Sequence, residues 1–304
     1  MTFLKSLVFG GLSLLQLTHA VPFHFPSSTN CTNTTHLEAR NLFQLDDGHL
    51  STGIEKRKLF NVDQITDEDR KQQLTQGLKD AVEIAKVTLD KMGKDRHADK
   101  IQAWFGEGDG YFEIVEQVFK NFVGENHDHE GADVLGDVIV HVDDYNNDLG
   151  APFCSIVKPD PDRPEGKRGT AYYKKKDGKP GMHFCDKYYE RQNAEAYLDN
   201  KCAGIPTKMD TDHIGRAFQG ANVLHEFMHY PKVGKEATGV QITDIAYGAW
   251  NCYNAKNNAD LQAQMAEKGL KLIHNADTYV YYAMQIYLEH VCDRKFEFPD
   301  SSDN

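Results

Sequence analysis

The sequence predicts an α+β fold that is mostly helical and contains a small β-sheet. Apolar residues recur at three- and four-residue steps between residues 66 and 122, which is typical of amphipathic helices. A β-branched run and a hairpin pattern occupy the middle of the chain, and helical patterns return after Asp212. Helices followed by a few strands and then by helices again fit an α+β domain.

The first predicted helix begins after Thr66 or Asp67, either of which can cap it, and ends at Gly93. Its apolar residues lie at helical spacing and are Leu74, Leu78, Ala81, Val82, Ala85, Leu89 and Met92. Two shorter helices are predicted over 98–105 and 111–122, and the apolar residues of the second share one face. The N-terminal part of the folded body is therefore predicted to be helical.

Strand signals begin at Val134 and continue through the mostly β-branched run 138–142. Residues 171–173 and 182–185 read as the two strands of a hairpin, because the turn-forming residues 177–181 separate them. The helical patterns beyond this sheet cover 213–230, a segment near 244–256, and 275–290. The small predicted sheet therefore precedes a second helical region.

The N-terminus reads as an export leader. Lys5 precedes a short apolar run, and Ala20 ends a segment suited to signal cleavage. The apolar run is shorter than the ~20 residues of a membrane-spanning helix. The following polar stretch ends at the dibasic pair Lys56-Arg57, which predicts removal of a pro-segment; the alternative is a disordered arm that stays attached. The predicted organisation is a signal peptide (1–20), a largely disordered pro-segment (21–57), a folded domain (58–298) and a disordered tail (299–304).

Charge and cysteine content limit the function classes. A formal net charge of -12 argues against nucleic-acid binding, since a phosphate backbone requires a basic surface. Export makes disulfides among the six cysteines plausible and gives meaning to the glycosylation sequons at Asn30 and Asn33. We therefore expect a secreted, extracellular glycoprotein that is a monomer and binds neither membrane nor nucleic acid.

Residues 225–229 read His-Glu-Phe-Met-His and form the strongest local motif. His225 and His229 are four residues apart, so on a helix both imidazoles point to the same side and can bind one ion. Glu226 is rotated by about a hundred degrees and can reach a water on that ion. The alternative is a buried helix that carries two structural histidines.

A catalytic zinc usually has three protein ligands, so a third ligand is expected downstream. Asp244 lies fifteen residues after His229 and offers a hard oxygen ligand. Tyr247 follows it by nearly one helical turn, and its phenol could donate a hydrogen bond to a developing oxyanion. Read alone, the pair could equally be a helix cap and a core aromatic.

The two motifs together resemble the aspzincin family, the deuterolysin-like fungal zinc metalloendopeptidases with their lysine-specific and zinc-binding antigen branches. The resemblance rests on His225-Glu-Phe-Met-His229 and on Asp244-Ile-Ala-Tyr247-Gly248. Trp104-Phe105-Gly106, the hairpin over 171–185 and Asn275-Ala276-Asp277 agree with it. It implies a zincin-like metalloprotease fold in which a small sheet flanks the active-site helix.

The resemblance also implies the roles of individual residues. His225, His229 and Asp244 would bind one Zn²⁺, Glu226 would be the general base toward a zinc-bound water, and Tyr247 would stabilise the transition state. Asp277 would lie near the pocket for the residue after the scissile bond and would favour a basic side chain there. The alternative for Asp277 is to cap the final helix.

The family's disulfides imply two pairs in this chain, Cys154 with Cys185 and Cys202 with Cys292, which leaves Cys31 and Cys252 without an assigned partner. The chain departs from the family pattern at Gln241-Ile242, where Gly-Thr is usual. The loop from His229 to Asp244 is also longer than in compact members. Val280 stands where lysine-specific members carry a second acid, which argues against strict lysine specificity.

The predicted function is a secreted zinc metalloendopeptidase that acts on protein or peptide substrates. The competing hypothesis is an inactive zinc-binding, zinc-scavenging or surface antigen protein on the same scaffold. Such relatives often carry arginine at the position of Glu226, whereas this chain keeps the glutamate. A weaker second metal motif is formed by residues 127–130, which read His-Asp-His-Glu and more commonly form a solvated surface.

Overall fold

The computed structural model describes residues 61–95, 98–124, 131–160, 163–198, 202–215 and 218–301. The predicted signal peptide, the predicted pro-segment, both sequons and the motif at 127–130 lie outside these residues. Within the described ranges, no helix is both long enough and apolar enough to cross a membrane. The fold is α+β, with a helical body and a small sheet, as the sequence predicts.

Ten α-helices are described in these ranges: α1 (Glu68–Asp95), α2 (Ala98–Phe105), α3 (Tyr111–Val123), α4 (Asp186–Tyr189), α5 (Ala194–Tyr197), α6 (Gln219–Met228), α7 (Lys235–Thr238), α8 (Ala249–Asn254), α9 (Ala259–Glu267) and α10 (Ala276–Val291). The described strands are β1 (Ile139–Val140), β2 (Val157–Asp160), β3 (Arg163–Arg168), β4 (Ala171–Tyr173) and β5 (Gly181–Phe184). Short 3₁₀ turns cover Asp133–Asp137, Phe153–Ser155, Ala255–Asn257 and Leu272–His274.

The three predicted N-terminal helices are confirmed. Asp67 caps α1, because its carboxylate accepts a hydrogen bond from the backbone N–H of Arg70 at 3.0 Å. Helix α1 continues past Gly93 to Asp95, and α3 ends one residue later than predicted. Local periodicity therefore located these helices to within two residues at each end.

The predicted hairpin is confirmed, whereas the prediction of a long first strand is wrong. Strands β4 and β5 pair antiparallel, and β1 pairs parallel with β5, in the order β1-β5-β4. Only Ile139–Val140 pairs as a strand, since Asp133–Asp137 forms a 3₁₀ turn. Leu135 and Val138 are fully buried, so the apolar run there reflects core burial rather than a continuous ladder.

A second sheet, the antiparallel ribbon β2–β3, is absent from the sequence prediction. Its residues are Val-Lys-Pro-Asp and Arg-Pro-Glu-Gly-Lys-Arg, which lack the apolar alternation of a half-buried strand. Helix α9 is also unpredicted, because Met265 is its only buried residue among those described. Both elements have too little apolar patterning for a sequence-based prediction.

The predicted helix over 213–230 is shorter in the structure, where α6 begins at Gln219. The predicted helix near 244–256 is wrong over its first half. Helix α8 begins at Ala249, and residues 243–248 form an irregular loop. The final helix, predicted over 275–290, is confirmed as Ala276–Val291.

Helix α6 lies in the core between α1, α10 and β4. Its residues Leu224 and Phe227 are fully buried, and the Phe227 ring packs against that of Phe122 at a centroid distance of 5.3 Å. Gly220 permits a close approach to α1, since a Cβ there would lie 2.7 Å from the Cβ of Asp80. The helix that carries the histidine motif is therefore rigidly held.

Two disulfides join distant segments of the described chain. Cys154 pairs with Cys185 next to β5, and Cys202 pairs with Cys292 at the end of α10. These are the two pairs that the family resemblance implies. Cys252 is a buried free thiol. The predicted tail is described as far as residue 301, and there the Lys208 ammonium donates to Asp300 at 2.7 Å.

Candidate metal centre

Two imidazoles converge at the end of α6. The Nε2 atoms of His225 and His229 are 3.2 Å apart. The Nδ1 atom of His225 lies 2.6 Å from an Asp277 carboxylate oxygen, and the Nδ1 atom of His229 lies 3.0 Å from the Ile242 carbonyl oxygen. Because both acceptors require a proton on Nδ1, both Nε2 atoms are available as metal ligands.

Asp244 completes a group of three ligand atoms. Its Oδ1 lies 3.1 Å from Nε2 of His225 and 3.3 Å from Nε2 of His229. The three atoms therefore form a nearly equilateral triangle that could bind one metal ion. The structure thus brings together the three residues that the sequence proposes as ligands.

Asp244 lies in a loop rather than on the predicted helix, and Asn275 holds that loop. The side-chain oxygen of Asn275 accepts hydrogen bonds from the backbone N–H groups of Ile245 at 2.9 Å and Ala246 at 3.0 Å. The backbone N–H of Thr243 also donates to the His274 carbonyl at 2.8 Å. These contacts provide acceptors for backbone N–H groups of the loop. The segment therefore does not need to form a helix in order to pair those groups.

Asp277 lies in the first turn of α10, behind His225. One carboxylate oxygen accepts from His225, and the other accepts from the backbone N–H of Gly248 at 3.0 Å. Asn275, not Asp277, occupies the N-cap position of α10, so the alternative role of Asp277 as the helix cap is wrong. Asp277 lines the cleft, but both of its oxygens already accept hydrogen bonds from the protein itself.

Gly248 allows the ligand loop to approach Asp277. Its φ of +86° lies in the left-handed region that favours glycine. A Cβ at this position would also lie 2.8 Å from the Thr211 hydroxyl oxygen. Both the backbone conformation and the close packing therefore require glycine here.

Glu226 is buried beside the ligands and faces the cleft. The backbone N–H of Tyr173 on β4 donates a hydrogen bond to its carboxylate. Burial raises the pKa of Glu226, and the neighbouring imidazoles of His225 and His229 oppose that change. A buried carboxylate with a raised pKa has the properties of a group that accepts and returns a proton.

The carboxylates around the histidines attract positive charge. Burial lowers the pKa of His225, but the carboxylates of Asp277 and Asp244 more than offset this effect, so the pKa is well above its usual range. Burial raises the pKa of Asp244, and the two imidazoles outweigh burial and lower it. A bound cation could replace the protons that these groups stabilise.

Tyr247 lies at the rim of the site and is half-exposed. Its ring stacks nearly parallel to that of His225 at a centroid distance of 6.4 Å. Its phenol forms a hydrogen bond with Asp244, and partial burial together with that carboxylate raises its pKa. The phenol therefore keeps its proton and remains a hydrogen-bond donor.

An open cleft of about 840 Å³ contains the three ligand residues, Glu226 and Tyr247. Strand β4 forms one side of it, and the segment from residue 146 to 158 extends that side. A volume of this size accommodates a segment of peptide. The cleft therefore gives a substrate direct access to the ligand group.

Other histidines have structural contacts. His183 lies near Cys154 and Cys185, and these three could form a metal group. The two sulfurs are bonded to each other, however, so they are not available as thiolate ligands. His141 Nδ1 lies 3.0 Å from the Gln64 side-chain oxygen.

The sequence did not predict how the site residues are oriented. It did not predict the role of Asn275 in holding the ligand loop, nor the contact between Asp277 and His225. Gln241 was also missed: its side-chain amide donates to the His229 carbonyl at 2.5 Å. The available signal in the sequence was Asn275-Ala276-Asp277 at the start of a helix. The residues that Asn275 and Asp277 contact, however, lie 29 to 52 positions away in the chain.

Comparison with models of known protein families found no match to this chain, and comparison with curated proteins found none either.

Proposed function

We propose that this protein is a secreted zinc metalloendopeptidase. The observation that carries the proposal is the triangle of His225, His229 and Asp244 ligand atoms, with edges of 3.1 to 3.3 Å. Zinc bonds of ~2.0–2.1 Å at tetrahedral angles separate neighbouring ligand atoms by about 3.4 Å. Two imidazoles and one carboxylate are also a donor set that suits zinc.

The residues around the triangle support hydrolysis. A bound Zn²⁺ supplies Lewis acidity, which lowers the pKa of water and polarises a peptide carbonyl. Glu226 accepts the proton of the attacking water and passes it to the leaving amine. Tyr247 donates a hydrogen bond to the oxygen on which negative charge develops. His225, His229 and Asp244 would hold the ion, and all three line the cleft.

Asp277 acts as a positioning residue in this proposal. Its hydrogen bond to His225 holds the imidazole in the tautomer that binds a metal through Nε2. Because both of its oxygens accept hydrogen bonds from within the protein, the proposal does not use it to bind a basic substrate side chain. The disulfides support export, since such bonds persist in oxidising compartments.

The test compares the wild-type protein with Glu226→Gln. The apo protein, prepared with a chelator, is titrated with Zn²⁺, and peptide-library cleavage is followed by mass spectrometry. We expect one bound zinc in both proteins, zinc-dependent cleavage in the wild type, and a loss of at least ~10²-fold in the variant. Glu236→Gln is the matched control, because Glu236 lies on α7 outside the cleft.

The outcomes separate the competing functions. Zinc binding without cleavage of any peptide would replace the peptidase proposal with a zinc-binding or zinc-scavenging role. Full activity in Glu226→Gln would refute the assignment of the base. His225→Ala should lose both zinc and activity, and retention of zinc at full affinity would refute the ligand assignment.

A further inference from the structure

We propose that the cleft selects peptides with acidic side chains, which contact Lys158 and Arg168 on the β2–β3 ribbon. This inference rests on the proposed function and names the substrate class for the same site. It differs from the expectation of a basic preference, which depended on Asp277.

The charge of the cleft is opposite to that of the chain. The chain has 34 basic and 46 acidic residues, a net charge of -12. Among the residues that the structure describes, five basic ones nevertheless line the cleft, namely Lys158, Arg168, Lys174, Lys187 and Arg191. Among the lining residues whose side chains the structure describes, the acidic ones are Glu226, Asp244 and Asp277, all of which belong to the metal centre.

Two of the basic residues have charges that a ligand can neutralise. Lys158 and Arg168 are exposed, and neither forms an ion pair with any residue in the part of the chain that the structure describes. Lys174, in contrast, pairs with Asp148 at 2.5 Å. Among the described lining residues, Lys158 and Arg168 therefore provide unpaired positive charge.

The residues that flank Lys158 and Arg168 in the chain are closely packed. The Phe153 ring packs directly over Gly169, where a Cβ would lie 2.2 Å from a ring carbon. Asp144 accepts hydrogen bonds from the backbone N–H of Cys154 at 2.7 Å and from the Tyr172 hydroxyl at 3.0 Å. These contacts hold the chain just before Lys158 and just after Arg168.

The spacing along the chain limits the distance between Arg168 and the part of β4 that contacts Glu226. The backbone N–H of Tyr173 contacts Glu226, and Arg168 lies five residues earlier. At ~3.3 Å per residue, the two positions are separated by at most about 17 Å. An acidic substrate residue would therefore lie within about five residues of the scissile bond, on one side of it.

The test uses a neutral fluorogenic peptide that the wild-type protein cleaves, with single Gln residues replaced by Glu or Lys on either side of the bond. We expect Glu to raise kcat/KM roughly three- to fivefold at positions on one side only, mainly through a lower KM. The effect should disappear between ~0.05 and ~0.5 M salt, since exposed charges are screened.

Charge reversal tests the two residues themselves. In Lys158→Glu with Arg168→Glu, the preference should reverse from Glu to Lys peptides. The milder pair Lys158→Gln with Arg168→Gln should abolish it, and its thermal midpoint should match the wild type. Lys179→Glu with Lys295→Glu is the control, because both lysines are exposed outside the cleft and the net charge changes equally.

A binding measurement separates this inference from the proposed function. Zinc-loaded Glu226→Gln protein is titrated against labelled Glu, Gln and Lys peptides by fluorescence anisotropy. Charge-dependent binding without cleavage by the wild type would keep the acidic preference and overturn the peptidase. Cleavage or binding that is indifferent to Glu at every position would overturn the inference and leave the peptidase standing.

Discussion

Replacing Asp277 with asparagine tests whether this residue positions a metal ligand. The carboxylate accepts from His225 Nδ1 at 2.6 Å and from the Gly248 backbone N–H at 3.0 Å. Asparagine has the same shape but offers only one acceptor oxygen and no charge. One of the two hydrogen bonds is therefore lost, and the His225 ring loses its anionic partner.

The expected consequence is weaker zinc binding. Loss of such an outer partner weakens metal affinity by roughly 10- to 100-fold. This range corresponds to about 1.4 to 2.8 kcal/mol of binding free energy. It agrees with the ~1.5–3 kcal/mol that a hydrogen bond to a charged group contributes.

The measurement is a competition titration against a chromophoric chelator at fixed pH and ionic strength. Asp260→Asn is the matched control, since Asp260 is an exposed acid in the first turn of α9. A zinc Kd within twofold of the wild type in folded Asp277→Asn protein would refute the positioning role. An equal loss in the control would show a general charge effect instead.

Three further predictions concern the same scaffold. Tyr247→Phe should lower kcat by roughly 10²-fold with little change in zinc Kd, and an unchanged kcat would exclude an oxyanion donor. Asn275→Ala leaves one buried and one half-buried backbone N–H group without an acceptor. Urea denaturation should therefore show a loss of ~2–4 kcal/mol, and a loss below ~0.5 kcal/mol would contradict this account. Burial raises the pKa of Asp80 to about 6. Its ionisation should therefore reduce stability as the pH rises from ~4 to ~6, and Asp80→Asn should be roughly 2–3 kcal/mol more stable relative to wild type at pH ~7 than at pH ~4. A stability difference between Asp80→Asn and the wild type that does not depend on pH would refute this account of Asp80.

The sequence by itself determined the features that depend on near neighbours. The helical period of α1 to α3 and of α10 is a local property, and so is the hairpin of β4 and β5. The four-residue spacing of His225 and His229 likewise placed both imidazoles on one side of a helix. These predictions needed only the geometry of a single element.

Tertiary structure alone decided how the site is assembled. Residues 244–248 were predicted to be helical, but Asn275, about thirty residues away, accepts the loop's N–H groups instead. The contact between His225 and Asp277 spans 52 residues, and the basic side of the cleft depends on a ribbon without an apolar pattern. Such contacts leave no local period in the sequence, because their free energy comes from partners that only the folded chain brings together.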